Sequence, residues 1–284
     1  MLDIMLINLS TALKRANENC QALAALNVFN LETIQAVLVA SINLNTPVIV
    51  AFGEKYFEHT PIESIAAVIK EAATKCNIDI VLHLDHAKEF SSILRALKCG
   101  FTSVMYDGSE LPFEINLENT RQIVNLSHAA GVSVEGELGW IGQENADRGV
   151  DKGYQYTDSD KAGIFAKITG VDALAIAIGN AHGLYRGEPK LNFDLLVKIN
   201  NSITCPLVLH GCSGLSEEAI SRAVKLGIRK VNINTEMSLH GAKALWKFMK
   251  EEYKETTRLD EIFKSPVMEI TEVAQKYLRL LNDI

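Results

Sequence analysis

The sequence predicts an α/β protein of the closed (β/α)8, or TIM, barrel type, and three observations carry that expectation. Eight short apolar runs alternate with stretches of helical periodicity. Predicted helices repeatedly stop at a glycine that leads straight into an apolar run, at Cys99-Gly100-Phe101, Ala130-Gly131-Val132, Thr169-Gly170-Val171 and Leu226-Gly227-Ile228. Glycine there can close the last helical turn in the left-handed conformation, so the repeating unit is strand then helix, not a hairpin. Polar residues collect where the runs end: Asn27, Asp85 with His86, Asp107, Glu137, His182, His210, and Asn232 with Asn234. A barrel builds its site from the C-terminal ends of many strands, whereas an open doubly wound sheet gathers it at one switch point.

In chain order the predicted strands are 24–29, 47–52, 78–84, 103–107, 132–138, 172–178, 205–210 and 228–233. Between them, Thr60-Pro61-Ile62-Glu63 reads as a capping box with Pro at the first helical position, and Asp158 and Asn192 read as N-cap residues. No Pro-, Ser- or Gly-rich linker divides the chain, so 1–284 is expected to form a single barrel domain with additional C-terminal helices from Met237 onward. Two connections are unusually long, 139–157 after the fifth run and 179–191 after the sixth. Loops of that length in a compact domain serve as lids or binding loops, and both lie on the face where the histidines gather.

Composition narrows the function. A chain of 284 residues, 48% hydrophobic and 22% charged, is ordinary for a folded soluble protein. A net charge of -7 with no long Lys/Arg block does not suit a nucleic-acid backbone, so any phosphate handled should be small and held locally. No apolar run approaches the roughly 18 residues of a membrane span. The opening Met1-Leu2-Asp3-Ile4-Met5-Leu6-Ile7-Asn8 has an early acid and no basic region, unlike a signal peptide. Five scattered cysteines without C-x-x-C spacing argue against a disulfide framework and a thiolate zinc site, and a cytoplasmic location is expected.

The candidate chemistry sits at the strand ends. His86, His182 and His210 are far apart in sequence, and each taken alone reads equally well as a hydrogen-bonded structural histidine. Three imidazoles around an open position would instead make a catalytic zinc site. Asp85 precedes His86, and a regular strand points neighbours to opposite faces. Either the strand ends between them or only one faces the site; if both do, Asp85 is the acid/base, and otherwise it orients a ligand. Glu135 and Glu137 share one face by period two, with Glu137 expected near the metal and Glu135 hydrogen-bonded inside the barrel. His83 lies lower on its strand, where a packed role is expected, and His59, His128 and His240 suit surface or capping roles. His210-Gly211-Cys212-Ser213-Gly214 and Asn232-Ile233-Asn234-Thr235 follow the last two strands, where this fold holds phosphate, and together they suggest a phosphorylated small substrate.

These residues carry a resemblance. Asn27-Val28-Phe29-Asn30-Leu31-Glu32, Leu82-His83-Leu84-Asp85-His86, 100–109, Val134-Glu135-Gly136-Glu137-Leu138-Gly139, Ala181-His182-Gly183-Leu184-Tyr185, 210–214 and Lys230-Val231-Asn232-Ile233-Asn234-Thr235-Glu236 occur in order. Over about Asn27 to Glu236 the sequence resembles the class II, metal-dependent ketose-bisphosphate aldolases, which include fructose- and tagatose-1,6-bisphosphate aldolases. The resemblance implies reversible cleavage of the C3–C4 bond to dihydroxyacetone phosphate and glyceraldehyde 3-phosphate, in carbohydrate metabolism such as glycolysis, through a zinc-stabilised enediolate. It implies Zn2+ on His86, His182 and His210, with Asp85 as acid/base; Glu137 joins the metal set on its strand position alone. Asn27, Gly183, Gly211, Cys212, Ser213, Asn232, Ile233, Asn234 and Thr235 would hold the substrate, with a monovalent cation (Na+ or K+) near the loops. A homo-oligomer, dimer or tetramer, is expected, and Leu239, Leu245, Trp246 and Phe248 of the C-terminal helices could supply its interface.

Three departures qualify the match. The family's loop glutamate aligns to Asn145, with Glu144 one place earlier as the expected proton-transfer residue. Cys212 stands where Gly or Ala is usual, so an exposed thiol is expected beside the phosphate, and Ala87 replaces a glycine. Two other readings stay open: a zinc-dependent hydrolase or epimerase acting on a sugar phosphate, and a non-catalytic sugar-phosphate-binding relic.

Overall fold

Each predicted run becomes a strand: β1 Leu23–Asn27, β2 Val48–Gly53, β3 Ile80–Ala87, β4 Ser103–Tyr106, β5 Ser133–Leu138, β6 Ala173–Ile176, β7 Leu207–Leu209 and β8 Ile228–Ile233. The computed structural model describes residues 6–141, 155–183, 185, 187 and 189–283. Every strand pairs in parallel with its neighbours, and β1 pairs with β8, so the sheet closes into a barrel. The helices are α1 Leu9–Glu18, α2 Leu31–Leu44, α3 Ile62–Ala73, α4 Phe90–Cys99, α5 Phe113–Ala129, α6 Ser159–Thr169, α7 Phe193–Ser202, α8 Glu217–Lys225, α9 Thr235–Glu251, α10 Leu259–Ile262 and α11 Lys264–Asn282. The junction glycines Gly100, Gly131, Gly170 and Gly227 all take positive φ, as the helix-stop reading requires.

Apolar residues divide between two cores. One fills the shell between sheet and helices, with Leu26, Val50, Leu82, Val104, Val134, Ile176, Leu209 and Val231 pointing outward from the strands. The other closes the lower end of the barrel. Leu9, Ala12, Leu13 and Ala16 of α1 pack there on Leu23, Ala25, Ile49, Val81, Met105, Ala173, Ala175 and Val208. This plug was not anticipated, although the i, i+3, i+4, i+7 spacing behind the Asn8 cap is an ordinary amphipathic signal. The inner core leaves the upper interior to polar residues. After β8, α11 packs on α2, α9 and β1 and so completes the helical layer.

Three details correct the sequence reading. Asp158 and Asn192 do cap α6 and α7, but α3 has no side-chain cap; the Thr60 hydroxyl donates to the Phe29 carbonyl at 2.6 Å, tying the β1 and β2 loops together. Strand β7 is shorter than expected. Strand β3 runs three residues past the predicted 84, because His86 takes φ +47° and the register against β4 shifts between Leu84 and Ala87. Among the described residues no helix is long and apolar enough to cross a membrane.

Candidate active site and metal centre

The bulge in β3 settles which way Asp85 and His86 point. A left-handed residue reverses the strand's alternation, and both side chains turn to the barrel mouth. The Asp85 Oδ2 accepts from the Asn27 amide at 2.8 Å, and Oδ1 accepts from the Asn232 amide at 3.1 Å, so β1 and β8 clamp the carboxylate from two sides. The His86 ring lies beside His210 and His182, with ring centroids 4.6 and 4.9 Å away, and the other two rings are 5.9 Å apart. One ligand atom of each imidazole falls within 4.8 Å of the others, so the three histidines can share one ion.

Hydrogen bonds to their far nitrogens orient two of these rings. His86 Nδ1–H donates to Asp107 Oδ2 at 2.9 Å, and Asp107 Oδ1 in turn accepts from the Ser109 hydroxyl and amide. His210 Nε2–H donates to Glu135 Oε1 at 2.9 Å, deep inside the barrel. The His210 Nδ1 is buried with no hydrogen-bond partner among the described residues. A buried unpaired nitrogen costs about 1–3 kcal/mol unless something uses its lone pair, and a divalent cation on His86, His182 and His210 would do so. The donor set therefore fits a zinc ion, and carboxylates behind the ligating rings are the usual support. His86 also belongs to a second cluster, with Asp107 and Glu137.

Charge at the site follows from the same packing. Burial opposes protonation of His86, but Asp85 and the hydrogen bond to Asp107 outweigh it and lift the imidazolium to about 9. Burial holds His182 well below its ordinary value, and it also lowers His210 against the pull of Glu135. For Asp85, burial favours the neutral acid, yet the charges of His86 and Lys230 prevail and hold it well below the usual carboxylate range. Glu137 goes the other way: burial and the nearby Asp107 push it well above. At Asp85 neighbouring positive charge thus opposes burial, whereas at Glu137 burial and a like charge act together.

Not every predicted residue reaches the mouth with its side chain. The Cys212 thiol is fully buried in the outer core and donates to the Leu209 carbonyl at 3.2 Å, with burial raising its pKa, so the expected exposed thiol is wrong. Ile233 is likewise buried in the outer core, so only its backbone could meet a ligand. Gly211 has φ +64°, and a Cβ there would lie 2.1 Å from the Ala181 carbonyl oxygen. That close approach joins the β6 and β7 loops, helped by Asn180, whose amide donates to the carbonyls of Ile176 and His210. The Ser213 hydroxyl accepts from the Glu236 amide at 3.1 Å, and Asn234 Nδ2 donates to the Tyr56 hydroxyl at 3.1 Å. Gly183 has φ +98°, and Thr235 begins α9 beside these loops. Glu144 and Asn145 lie outside the described residues.

Four contributors escaped sequence reasoning. Asp107 appeared only as a strand-end acid, and Asn180 and Tyr56 act through loop contacts that no local pattern announces. Lys230 had a signal: it alternates with Asn232 on the inward face of β8, where a lysine is out of place.

The family model described as fructose-bisphosphate aldolase class-II matches residues 7–284. The chain belongs to that aldolase family. Among its relatives is the uncharacterized protein YdjI of Escherichia coli (strain K12), 39% identical over 216 residues, 76% of this chain and 78% of the relative. The solved structure of the YdjI aldolase superposes with a TM-score of 0.86 at 30% identity, covering 97% of both chains. A fructose-bisphosphate aldolase from Campylobacter jejuni, at 22% identity and covering 100% of this chain and 98% of its own, shares the fold with a TM-score of 0.83. Membership points to a lyase acting on a phosphosugar.

Proposed function

We propose that this family member is a zinc-dependent aldolase that reversibly cleaves a ketose 1,6-bisphosphate, fructose or tagatose, into dihydroxyacetone phosphate and glyceraldehyde 3-phosphate. The observation that carries the reading is a buried carboxylate, Asp85, clamped by two amides beside three convergent imidazoles. When bound on His86, His182 and His210, zinc would supply a Lewis acid for the substrate's ketone and hydroxyl oxygens. In cleavage, Asp85 accepts the C4 hydroxyl proton, the new C4 carbonyl forms, and the C3–C4 bonding pair stays with C3. In condensation Asp85 returns that proton. Protonation of C3 is assigned to Glu144 of the long loop. The phosphate of the dihydroxyacetone half would rest on Gly183, Gly211, the Cys212 and Ile233 backbones, Ser213, Asn234 and Thr235 at the start of α9, where helix N–H groups favour an anion. Asn27 and Asn232, besides holding Asp85, would meet the substrate hydroxyls.

We further propose a monovalent cation, Na+ or K+, near these loops, a cytoplasmic location, and a homo-oligomer joined through the exposed apolar side chains of α9 to α11.

The test is a coupled assay for triose phosphates on both bisphosphates. Chelation should abolish cleavage and added zinc should restore it. Asp85→Ala should keep the metal while losing about 10²- to 10⁴-fold in kcat, the usual worth of a positioned acid/base. Inorganic phosphate or an epimerised ketose as product would assign the site to the hydrolase or epimerase reading, and tight binding without turnover would assign it to the relic.

A further inference from the structure

Lys230 lies at the centre of the barrel with no exposure, and its ammonium has two neighbours. Nζ is 2.8 Å from Glu135 Oε2 and donates to Asn232 Oδ1 at 2.8 Å. We propose that Lys230 is a positioning residue for the reaction: it fixes which end of the Asn232 amide faces Asp85, and through Glu135 it fixes which nitrogen of His210 faces the metal. The proposal rests on the aldolase reading above.

The argument turns on donor and acceptor identity. The two ends of an amide are nearly the same shape, so packing alone does not decide how Asn232 sits. An ammonium has donors only, and it can bind Asn232 solely through Oδ1. That leaves Nδ2 pointing at Asp85 Oδ1, 3.1 Å away, as the donor a carboxylate needs. Reversed, the amide would set one oxygen against another. On the other side, the Lys230 ammonium pairs in charge with Glu135 Oε2 and keeps the carboxylate ionised, and Oε1 accepts the His210 Nε2–H. His210 then carries its proton on Nε2 and keeps Nδ1 free. One buried cation thus sets the polarity of both the acid/base arm and a ligand arm.

A purely structural role explains less. Buried ion pairs are often replaceable by apolar residues of similar volume without loss of stability. Lys230 is paired in register with Leu23 and Val208, an apolar level of the barrel that would accept such a residue. If filling space were its task, a neutral replacement of the pair would leave turnover intact.

The experiment compares Glu135→Gln, the double variant Lys230→Met/Glu135→Gln, Asn232→Ala, and the triple combination. In the double variant glutamine at 135 can still accept from His210 and no buried charge is left unpaired, so it is the one expected to fold if Lys230→Met or Glu135→Gln alone does not. With zinc added, the ¹⁵N side-chain amide signals of Asn232 should shift or lose exchange protection in the double variant relative to Glu135→Gln. Those of Asn116, buried on α5 with its amide on the Glu137 carbonyl, should stay unchanged. In turnover, kcat should fall roughly 10²-fold from Glu135→Gln to the double variant, with KM changed less than about threefold. In the Asn232→Ala background the same lysine change should add less than about threefold, because the two act as one unit. Unmoved Asn232 signals, or an equal kcat loss with and without Asn232, would overturn the proposal. Absence of triose phosphates from the wild-type protein would sink the aldolase reading instead, and the amide signals, which need no substrate, would still decide the role of Lys230.

Discussion

His86 takes a backbone conformation that L-residues other than glycine rarely adopt, at a cost of roughly 1–2 kcal/mol. The return is geometric: Asp85 and His86, the proposed acid/base and metal ligand, occupy adjacent positions and face the same way. It is also electrostatic, since Asp85 and Asp107 hold the His86 proton up to about pH 9 without metal. That proton must leave before the ring can bind a cation, whereas burial shifts His182 and His210 the other way, toward the neutral form. Zinc affinity should therefore fall about tenfold per pH unit below 9, or roughly a hundredfold between pH 8 and pH 6. An unperturbed imidazole would lose only about fourfold over that range. Calorimetry in buffers of different ionisation enthalpy should show one proton released near neutral pH, and a pH-independent affinity would contradict the assignment. The sign for stability is opposite. A pKa raised on folding stabilises the metal-free protein below about 6.5, and that contribution is lost as pH rises through about 9.

Two joints between elements carry the site. Gly211 lets the β7 loop touch the β6 loop at Ala181, so Gly211→Ala meets both a left-handed backbone and a carbonyl oxygen. It should cost at least about 2 kcal/mol and separate His182 from His210. The expected result is a barrel-like circular dichroism spectrum with much weakened zinc binding; unchanged metal affinity would show that the loops do not depend on this contact. At the other end, α1 plugs the barrel, and Leu13→Ala should cost about 2–5 kcal/mol in urea denaturation while sparing metal affinity. Element order was legible because strands covered on both faces read as apolar runs and because helix-stop glycines punctuate them. The convergence of His86, His182 and His210 was legible only through their shared place at strand ends. The β3 bulge was not, since nothing in Leu84-Asp85-His86-Ala87 marks a non-glycine residue for positive φ. Nor was the burial of Cys212 and Ile233, because one residue's shift along a strand end exchanges mouth for outer core.

For the molecule as a whole, the C-terminal helices turn large apolar side chains toward solvent. Among the exposed large apolar side chains are Leu239, Trp246 and Met249 of α9, Tyr253, Leu259 of α10, and Phe263 and Met268 near the start of α11, with Trp246 62% and Met268 65% exposed. Leu245 and Phe248, also expected at an interface, are half-buried within the chain. Scattered apolar residues need no explanation on a protein surface, but a concentration on consecutive helices marks a contact face. If that face joins copies of this chain, light scattering at micromolar concentration should give a dimer or tetramer, and Trp246→Glu should shift the mass toward the monomer by burying a charge in the contact. Trp246 lies eleven residues beyond Thr235 on the same helix, about 16 Å along its axis. The dissociated variant should therefore keep its zinc and its turnover. A wild-type protein monomeric at every concentration would remove the proposed oligomer. Parallel loss of mass and turnover would mean instead that the site at the barrel mouth is complete only when a second copy supports α9.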